Sequence, residues 1–363
     1  MKKGFNISAV ILLLSSGCIQ VAPSEDDIPN AQTKLAGEYA IQTEQAKPTS
    51  TPIPTNTPVP TPLGSSSGKI LFEQSRIDND EISDFMIVDI ESKEIVNLTN
   101  NQNNSTSYYY PSVSPDGTKI AYSLLLKEDL QLGEFWKHEL FIMDIDGNNK
   151  EKISSIQMYL GNNQIDTLLI ENQPAWSPDG KNIAFSSNRN SLLDNLIFDD
   201  AEIYVINLDN YEIQQLTKAR DYSNTPSWSP DGQQIAFMSN RDGDWDIYIM
   251  NSDGTGMDEN ITKNTSSERF PSWSNDGKFI VYHSDRDGNN NLYLYNLETG
   301  EETRLTNKPS SEFTGRWSHD DNWITFASDR DGDYEIYIIN VKTKEEIKIT
   351  DNDTGDGLQN WIP

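Results

Sequence analysis

Aspartates that directly precede glycine recur along the chain and are the most conspicuous residues that could do chemistry. Ser-Pro-Asp-Gly or a close variant occurs at 114–117, 177–180, 229–232 and 274–277. Carboxylates at such positions could act as general acids, general bases or calcium ligands. Asp before Gly is also typical of a hairpin turn, in which Asp bonds its own backbone and Gly takes positive φ. We therefore predict structural turns at Asp116, Asp179, Asp231 and Asp276.

Arginines form the second recurring set, each just ahead of a β-rich run: Arg189, Arg241, Arg286 and Arg330, with Arg76 at the corresponding place near the start. The residue that opens the following run is acidic in all repeats but one: Asp84, Glu139, Glu202, Asp246 and Glu335, with Asn291 as the exception. Because guanidinium and carboxylate form strong bidentate pairs, we predict that each Arg clasps this acid across the turn. A ligand-facing role for some of these groups is the alternative. Glu139 has no Arg in its repeat and is expected to be less neutralised.

Acidic turns at 144–151, 285–291 and 329–335 are faintly similar to calcium loops. None has the alternating spacing with a distal Glu that an EF-hand requires, and two contain an Arg, which opposes a divalent cation. The sequence therefore predicts no cofactor, and calcium remains an open alternative.

Enzyme motifs give little support to a catalytic function. Neither the phosphate-binding Gly-x-x-x-x-Gly-Lys-Ser/Thr nor the zinc-binding His-Glu-x-x-His occurs in the sequence. His138, His283 and His319 occupy non-equivalent positions in the repeats, and we expect them at the surface. A carboxylate pair for glycoside hydrolysis stays open, because separation in space is not visible in a sequence.

Acidic residues dominate the charge of the chain. The 57 Asp and Glu against 28 Lys and Arg give a formal net charge of −29 in 363 residues. Phosphate backbones would repel such a chain, so nucleic acid is not an expected partner. Cys18 is the single cysteine. An intramolecular disulfide is therefore impossible, and a zinc cluster is not expected.

The N-terminus has the pattern of an export signal. Lys2 and Lys3 precede an apolar run at 10–14 and small residues before Cys18, and this run is too short to span a bilayer. The pattern resembles a bacterial lipoprotein signal, which implies a signal peptide at 1–17 and lipidation of Cys18 with more than one chain. An ordinary signal peptide is the alternative.

Alternating Thr and Pro at 48–62 favour polyproline II, so residues 18–68 are predicted to be a disordered Thr/Pro-rich stalk.

A tryptophan-centred repeat determines the expected fold. Each copy holds four β-rich runs, and Val113 takes the place of the aromatic residue in the earliest copy. The anchors are Trp176, Trp228, Trp273, Trp317 and Trp361, of which the last four are spaced 45, 44 and 44 residues apart. A period in the mid-forties with four strands is typical of a β-propeller. Because the anchors share one register, we expect them to pack between blades.

The two chain ends supply one shared unit. The run that begins at Lys69 corresponds to the second strand of the other units, and residues 358–363 match only the missing first strand. We therefore predict an all-β fold at 69–363. It is a six-bladed β-propeller of four-stranded antiparallel blades, closed by the C-terminal strand pairing into the N-terminal blade.

The repeat motifs resemble the WD-like repeats of TolB-type six-bladed propellers. Similar repeats form the propellers of dipeptidyl-peptidase and prolyl-oligopeptidase enzymes. The resemblance covers essentially residues 69–363 and implies the propeller fold. It does not imply one activity, because propellers host many functions.

The links between blades place aromatic and charged residues around one mouth of the central channel, as partner sites on rigid scaffolds do. We therefore predict a non-enzymatic, extracytoplasmic envelope lipoprotein that binds a protein, peptide or cell-envelope glycan there. A propeller-fold hydrolase or lyase with channel carboxylates is the alternative, and the aromatic residues could instead cap the inner strands. The predicted contact residues are Tyr108, Tyr109, Tyr110, Asp221, Tyr222, Glu268, Arg269, Phe270, Glu312 and Phe313.

Overall fold

The computed structural model describes most of the chain from residue 68 onward. The described residues are 68–76, 82–100, 106–130, 133–154, 159–160, 163–164, 170–189, 201–218 and 222–363. The predicted signal peptide, Cys18, the stalk up to residue 67 and Asp221 lie outside them. Within these ranges there is no helix of the length and apolar character needed to cross a membrane.

The strands follow one another in sets that form blades. Blade 1 begins with β1 (Lys69–Ser75), β2 (Ser83–Asp89) and β3 (Ile95–Asn97). Blade 2 consists of β4 (Thr106–Val113), β5 (Lys119–Leu130), β6 (Gly133–Asp144) and β7 (Glu151–Lys152). A separate hairpin consists of β8 (Tyr159–Leu160) and β9 (Asn163–Gln164). Blade 3 consists of β10 (Glu171–Trp176), β11 (Asn182–Ser187), β12 (Glu202–Asn207) and β13 (Ile213–Gln215).

The remaining strands complete the ring. Blade 4 consists of β14 (Ser223–Trp228), β15 (Gln234–Ser239), β16 (Asp246–Asn251) and β17 (Glu259–Asn260). Blade 5 consists of β18 (Glu268–Trp273), β19 (Phe279–Ser284), β20 (Asn291–Asn296) and β21 (Glu302–Arg304). Blade 6 consists of β22 (Glu312–Trp317), β23 (Trp323–Ser328), β24 (Glu335–Asn340) and β25 (Glu346–Lys348). The last strand is β26 (Asp356–Ile362).

The chain ends meet in blade 1. The described residues contain six four-stranded sheets, and the sheet that joins both ends has the order β26-β1-β2-β3. Its closing pair is antiparallel, with Ile70 opposite Trp361 and Lys69 opposite Ile362. The predicted six-bladed propeller and its closure by the C-terminal strand are therefore confirmed.

The hydrophobic core lies between neighbouring blades. Trp317 and Phe326 of blade 6, for example, pack with Val281 and Leu292 of blade 5. Each blade is covered on both faces, so its middle strands need apolar side chains on both faces. This explains the continuous apolar runs that follow the turns, such as residues 235–238 of β15, which are all buried.

Every innermost strand contains a bulge, because two of its residues face one residue of the second strand. The first bulge residue is never glycine and yet has a φ between 47° and 55°. Non-glycine residues in this region cost of order 1–3 kcal/mol each, and they persist only where the surrounding structure holds them. The bulge residues are Tyr110, Gln173, Thr225, Phe270, Thr314 and Leu358. They form a ring around the channel at one level of the propeller.

Candidate functional site in the central channel

Strand direction defines two faces of the channel. All innermost strands begin at one face, where the links between blades also lie, and end at the other, where the Ser-Pro-Asp-Gly turns lie. We call these the link face and the turn face.

The aspartates of the turn face hold their own turns, as predicted. Asp231 Oδ1 accepts hydrogen bonds from Ser229 Oγ at 2.6 Å and from Gln233 N at 3.0 Å, and Gly232 has a φ of 71°. The bond from Ser229 is the main cause that lowers the pKa of Asp231. The same two bonds recur at Asp116, Asp179 and Asp276. These carboxylates are committed to turn structure.

The repeat tryptophans lie at the boundary between blades. Trp361 Nε1 donates a hydrogen bond to the carbonyl of Arg316 in the preceding blade at 3.1 Å. Trp273 differs, because its Nε1 is buried without a partner in the described part of the chain. The bond to the preceding blade is also made by Trp176, Trp228 and Trp317. These bonds fix blades 1, 3, 4 and 6 against the blade that precedes each of them.

The repeat arginines do not clasp the acid that opens the third strand, and that prediction was wrong. Arg286 Nη2 lies 3.1 Å from Glu268 Oε1 on the innermost strand, and its Nη1 bonds Glu302 on the outermost strand. The guanidinium carbon lies 4.4 Å from the ring centre of Tyr293, which stacks on Tyr282. Arg286, like Arg330, thus spans its blade from the innermost to the outermost strand. Corresponding positions are taken by Arg189, Arg241 and Arg330.

The acids that open the third strands bond other partners. Thr262 Oγ1, just after the last strand of blade 4, donates to Asp246 at 3.0 Å, so this carboxylate has a partner without an Arg. Glu139 was expected to be less neutralised, which was wrong. Its Oε1 lies 3.3 Å from Lys137 Nζ and 2.6 Å from Lys152 Nζ.

The predicted contact residues lie in different environments. Four of them are at most 7% exposed, so their expected exposure at the mouth was wrong: Tyr108, Glu268, Phe270 and Glu312. Tyr108 packs in the aromatic cluster between blades 1 and 2, and the two glutamates bond the repeat arginines. Tyr110 and Phe270 are bulge residues on the wall of the channel. Successive side chains of a β-strand point to opposite faces of the sheet, so alternate residues of an innermost strand point into the layers between blades.

Tyr222 and Arg269 meet on Trp245, a residue that the sequence analysis missed. The rings of Tyr222 and Trp245 are 5.9 Å apart, and the guanidinium carbon of Arg269 lies 5.5 Å from the Trp245 ring. All three side chains are half-buried at the link face. Burial lowers the pKa of Arg269, and its Nε has no partner among the described residues. We call these three residues the link-face cluster.

Phe313 continues the aromatic surface on blade 6. Its ring lies 5.1 Å from that of His283 and 5.5 Å from that of Tyr334. His283 is 2% exposed and accepts a hydrogen bond from Thr314 N at 3.4 Å, so the expectation of a surface histidine was wrong there. Burial, with Arg269 and Arg316 nearby, lowers the pKa of His283 to about 3. On blade 2, Tyr109 packs on His138 in a similar way.

Glu73 is a buried carboxyl group beside the channel that the sequence analysis did not single out. It is 5% exposed and accepts hydrogen bonds from Ser83 Oγ at 3.1 Å and Tyr110 N at 3.3 Å. Burial raises its pKa to about 8. The sequence did contain a signal for this site, because an acidic residue interrupts the apolar run of the second strand of blade 1.

The innermost strands enclose a cavity of about 430 Å³ that extends from the bulge ring to the prolines of the turn face. Proline and tryptophan side chains form most of its apolar wall. In the described part of the chain this wall has no Asp or Glu side chain, and Arg316 is its one guanidinium. No group of three or more His, Cys, Asp or Glu side chains that could hold a metal ion occurs among the described residues.

The chain is similar to known propeller proteins. The family model of the TolB beta propeller domain matches residues 126–290 and 255–363. The Tol-Pal system protein TolB of Francisella tularensis subsp. mediasiatica is 29% identical over 136 residues, which are 37% of this chain and 27% of that protein. The match therefore covers only about a quarter of this relative.

Solved structures agree on the fold. TolB from Acinetobacter baumannii has a TM-score of 0.64 and 20% identity, over 83% of this chain and 68% of that chain. Hydrazine synthase of Kuenenia stuttgartiensis has a TM-score of 0.61 and 18% identity, over 81% of this chain and 46% of that chain. Likeness at this level of identity concerns the fold and not the activity. With the family match over most of its length, the chain belongs to the TolB beta propeller domain family.

Proposed function

We propose that this chain is a lipid-anchored, extracytoplasmic scaffold that binds a protein or peptide through its link face. The link-face cluster is the observation that carries this proposal. Trp, Tyr and Arg are the residue types that dominate the energetics of protein interfaces, particularly where they lie half-buried on a rigid surface. Here they are held by two blades, since Tyr222 and Trp245 belong to blade 4 and Arg269 to blade 5.

The shape of the surface favours a macromolecular partner. Phe313 and Tyr334 place a second aromatic contact on blade 6, so three consecutive blades contribute to one face. The buried Nε of Arg269 has no acceptor among the described residues, and an unpaired buried donor costs ~1–3 kcal/mol. A carbonyl or carboxylate from a partner would supply that acceptor.

The N-terminal pattern supports the location. A signal peptide ending at Gly17 and a lipid on Cys18 would place the propeller outside the cytoplasm, on a stalk of Thr and Pro residues. A hydrolase or lyase that works with channel carboxylates is not proposed, because the described wall of the channel cavity has no pair of Asp or Glu side chains for such chemistry.

Site-specific photo-crosslinking of the full chain in its host tests the partner. A photoreactive residue at Tyr222 should capture one polypeptide, and Trp245→Ala should reduce that product by about tenfold or more. Met257, which is 95% exposed on the turn face, is the matched control position and should not capture the same product. Equal products at both positions would refute binding through the link face.

A glycan partner and the anchor need separate measurements. The partner would be a glycan if the chain binds envelope polysaccharide in a Trp245-dependent way and no polypeptide is crosslinked at Tyr222. This result would refute the proposed protein or peptide partner.

Cys18→Ser should move the chain from the membrane fraction to the soluble extracytoplasmic fraction. Unchanged membrane association of Cys18→Ser would refute the lipid anchor.

A further inference from the structure

Arg316 breaks the repeat at a position that faces the channel cavity. It directly precedes the tryptophan anchor of blade 6 and lies on the cavity wall. The other blades have smaller, uncharged residues at this position: Ser112, Ala175, Ser227, Ser272 and Asn360. A local departure from an otherwise consistent pattern, without a structural reason, is where function is expected.

No structural reason for the guanidinium of Arg316 is found among the described residues. Its hydrogen bond runs from Nη1 to the carbonyl of Gly315, its own neighbour, at 3.3 Å. No ion pair joins it to a described carboxylate, whereas the repeat arginines, such as Arg286 and Arg330, each have one or two. Acidic side chains outnumber basic ones 57 to 28 in this chain, so a cation that faces a described wall without an Asp or Glu side chain is exceptional. Burying a charge without a partner is unfavourable unless a ligand supplies the partner.

The same wall has further polar atoms without partners. Thr225 is 3% exposed, and its Oγ1 has no hydrogen-bond partner among the described residues. Trp273 Nε1 and His319 Nδ1 are also buried on this wall and unpartnered there. His319 replaces the turn proline in the same blade that has Arg316. The cavity therefore combines one cation with three buried hydrogen-bonding atoms that have no partner among the described residues.

We propose that the channel cavity binds a peptide carboxylate, either a C-terminus or an Asp or Glu side chain, on Arg316. The planar guanidinium matches a carboxylate with two parallel hydrogen bonds. The proline and tryptophan side chains of the wall accept the apolar residues next to that carboxylate. This site lies on the turn-face side of the bulge ring, so it does not depend on binding at the link face.

A peptide fits this wall better than an acidic sugar, because its few unpaired polar groups cannot serve all the hydroxyl groups of a sugar ring and other polar groups, such as Gln173 and Asn360, already bond within the described residues. Gln173 Oε1 accepts bonds from Ser186 Oγ and Thr225 N, both at 3.0 Å. Asn360 Nδ2 donates to the carbonyl of Pro111 at 2.6 Å. A sugar ring would bury several hydroxyl groups with too few partners, which is unfavourable. A carboxylate beside an apolar side chain has no such requirement.

Two small probes that differ in charge test the site. Binding of N-acetylphenylalanine and of its neutral amide to the full chain is measured by tryptophan fluorescence at neutral pH, since the repeat tryptophans line the cavity. The carboxylate should bind about tenfold tighter or more. Arg316→Gln should bring this ratio to about one, and Arg316→Lys should retain part of it. Arg304→Gln, which removes a charge paired with Asp287 away from the cavity, should leave the ratio unchanged.

Each other outcome would overturn the proposal. The proposal is wrong if the natural chain binds both probes equally or binds neither of them. It is also wrong if Arg316→Gln leaves the ratio of the two affinities unchanged while the melting curve of the variant stays normal. Glucuronate that binds in an Arg316-dependent way, while N-acetylphenylalanine does not, would also overturn the peptide assignment. Crosslinking at Tyr222 should be the same in Arg316→Gln, so failure at one site is distinguishable from failure at the other.

Discussion

Replacing Trp361 by alanine should remove a large part of the stability of the propeller. The indole is 6% exposed and lies in the core cluster that joins the ends of the ring. It packs with Ile70 and Phe72 of blade 1 and with Ile336 and Ile338 of blade 6. Loss of this side chain therefore weakens the first blade and its contact with the last one together.

The magnitude follows from the contacts. Truncating a buried aromatic side chain to alanine costs ~3–5 kcal/mol. The Arg316 carbonyl also loses the bond from the Trp361 indole at 3.1 Å, which adds ~1 kcal/mol. Together these amount to about 4–6 kcal/mol, against a free energy of unfolding of about 5–15 kcal/mol for a folded domain. Trp361→Phe keeps most of the apolar contact and should cost only ~1–2 kcal/mol.

Urea unfolding followed by circular dichroism measures these differences, since the slope shows whether the unfolded surface has changed. Trp273→Phe is the matched control. Its indole Nε1 has no partner among the described residues, so this change should cost ~1 kcal/mol less than Trp361→Phe. A loss below ~1 kcal/mol for Trp361→Ala, with an unchanged slope, would refute the closing role of the C-terminal strand.

Three further predictions concern ionisable side chains inside the protein. The Glu73 pKa of about 8 lies above its ordinary value of 4.5, so its contribution to stability is full below 4.5 and is lost as pH rises through 8. The difference in unfolding free energy between the natural chain and Glu73→Gln should therefore change between these pH values, and a constant difference would contradict the raised pKa. Arg330→Met should destabilise the chain by ~3 kcal/mol, because it leaves the fully buried Glu312 without its cation. Adding Glu312→Gln should restore most of this loss in urea unfolding, and no restoration would argue against the pair. The imidazole of His283 should stay neutral from about pH 8 to about pH 5, and a titration of its ring-proton NMR signal near its ordinary value would count against the lowered pKa.

The breaks in the repeat are where the structure adds most to the sequence. Arg316 and His319 replace the Ser and Pro of the usual motif in blade 6, and Glu73 interrupts an apolar run in blade 1. All three are visible in the sequence as departures from the other copies. Only the folded ring shows that the first two face one cavity and that the third lies behind the bulge residue Tyr110.

The architecture could be predicted from the sequence because its signals are local. Asp-Gly turns, apolar runs and the spacing of the Trp anchors each depend on a few neighbouring residues, and their period identifies the blades. Even the closure could be inferred, since residues 358–363 match one missing strand and no other. Local turn chemistry and strand period thus determine which segments form each blade.

The partners of the charged groups were decided only by the tertiary structure. Arg286 bonds Glu268 and Glu302, which lie 18 and 16 residues away along the chain, because folding brings groups of both the inner and the outer strand of the blade within reach of one Arg side chain. Burial of Tyr108 and the isolation of Arg316 depend equally on neighbouring blades. A charged side chain pairs with the groups that folding brings near it. The distance between the two groups in the folded protein cannot be read from residue type or from spacing within a repeat.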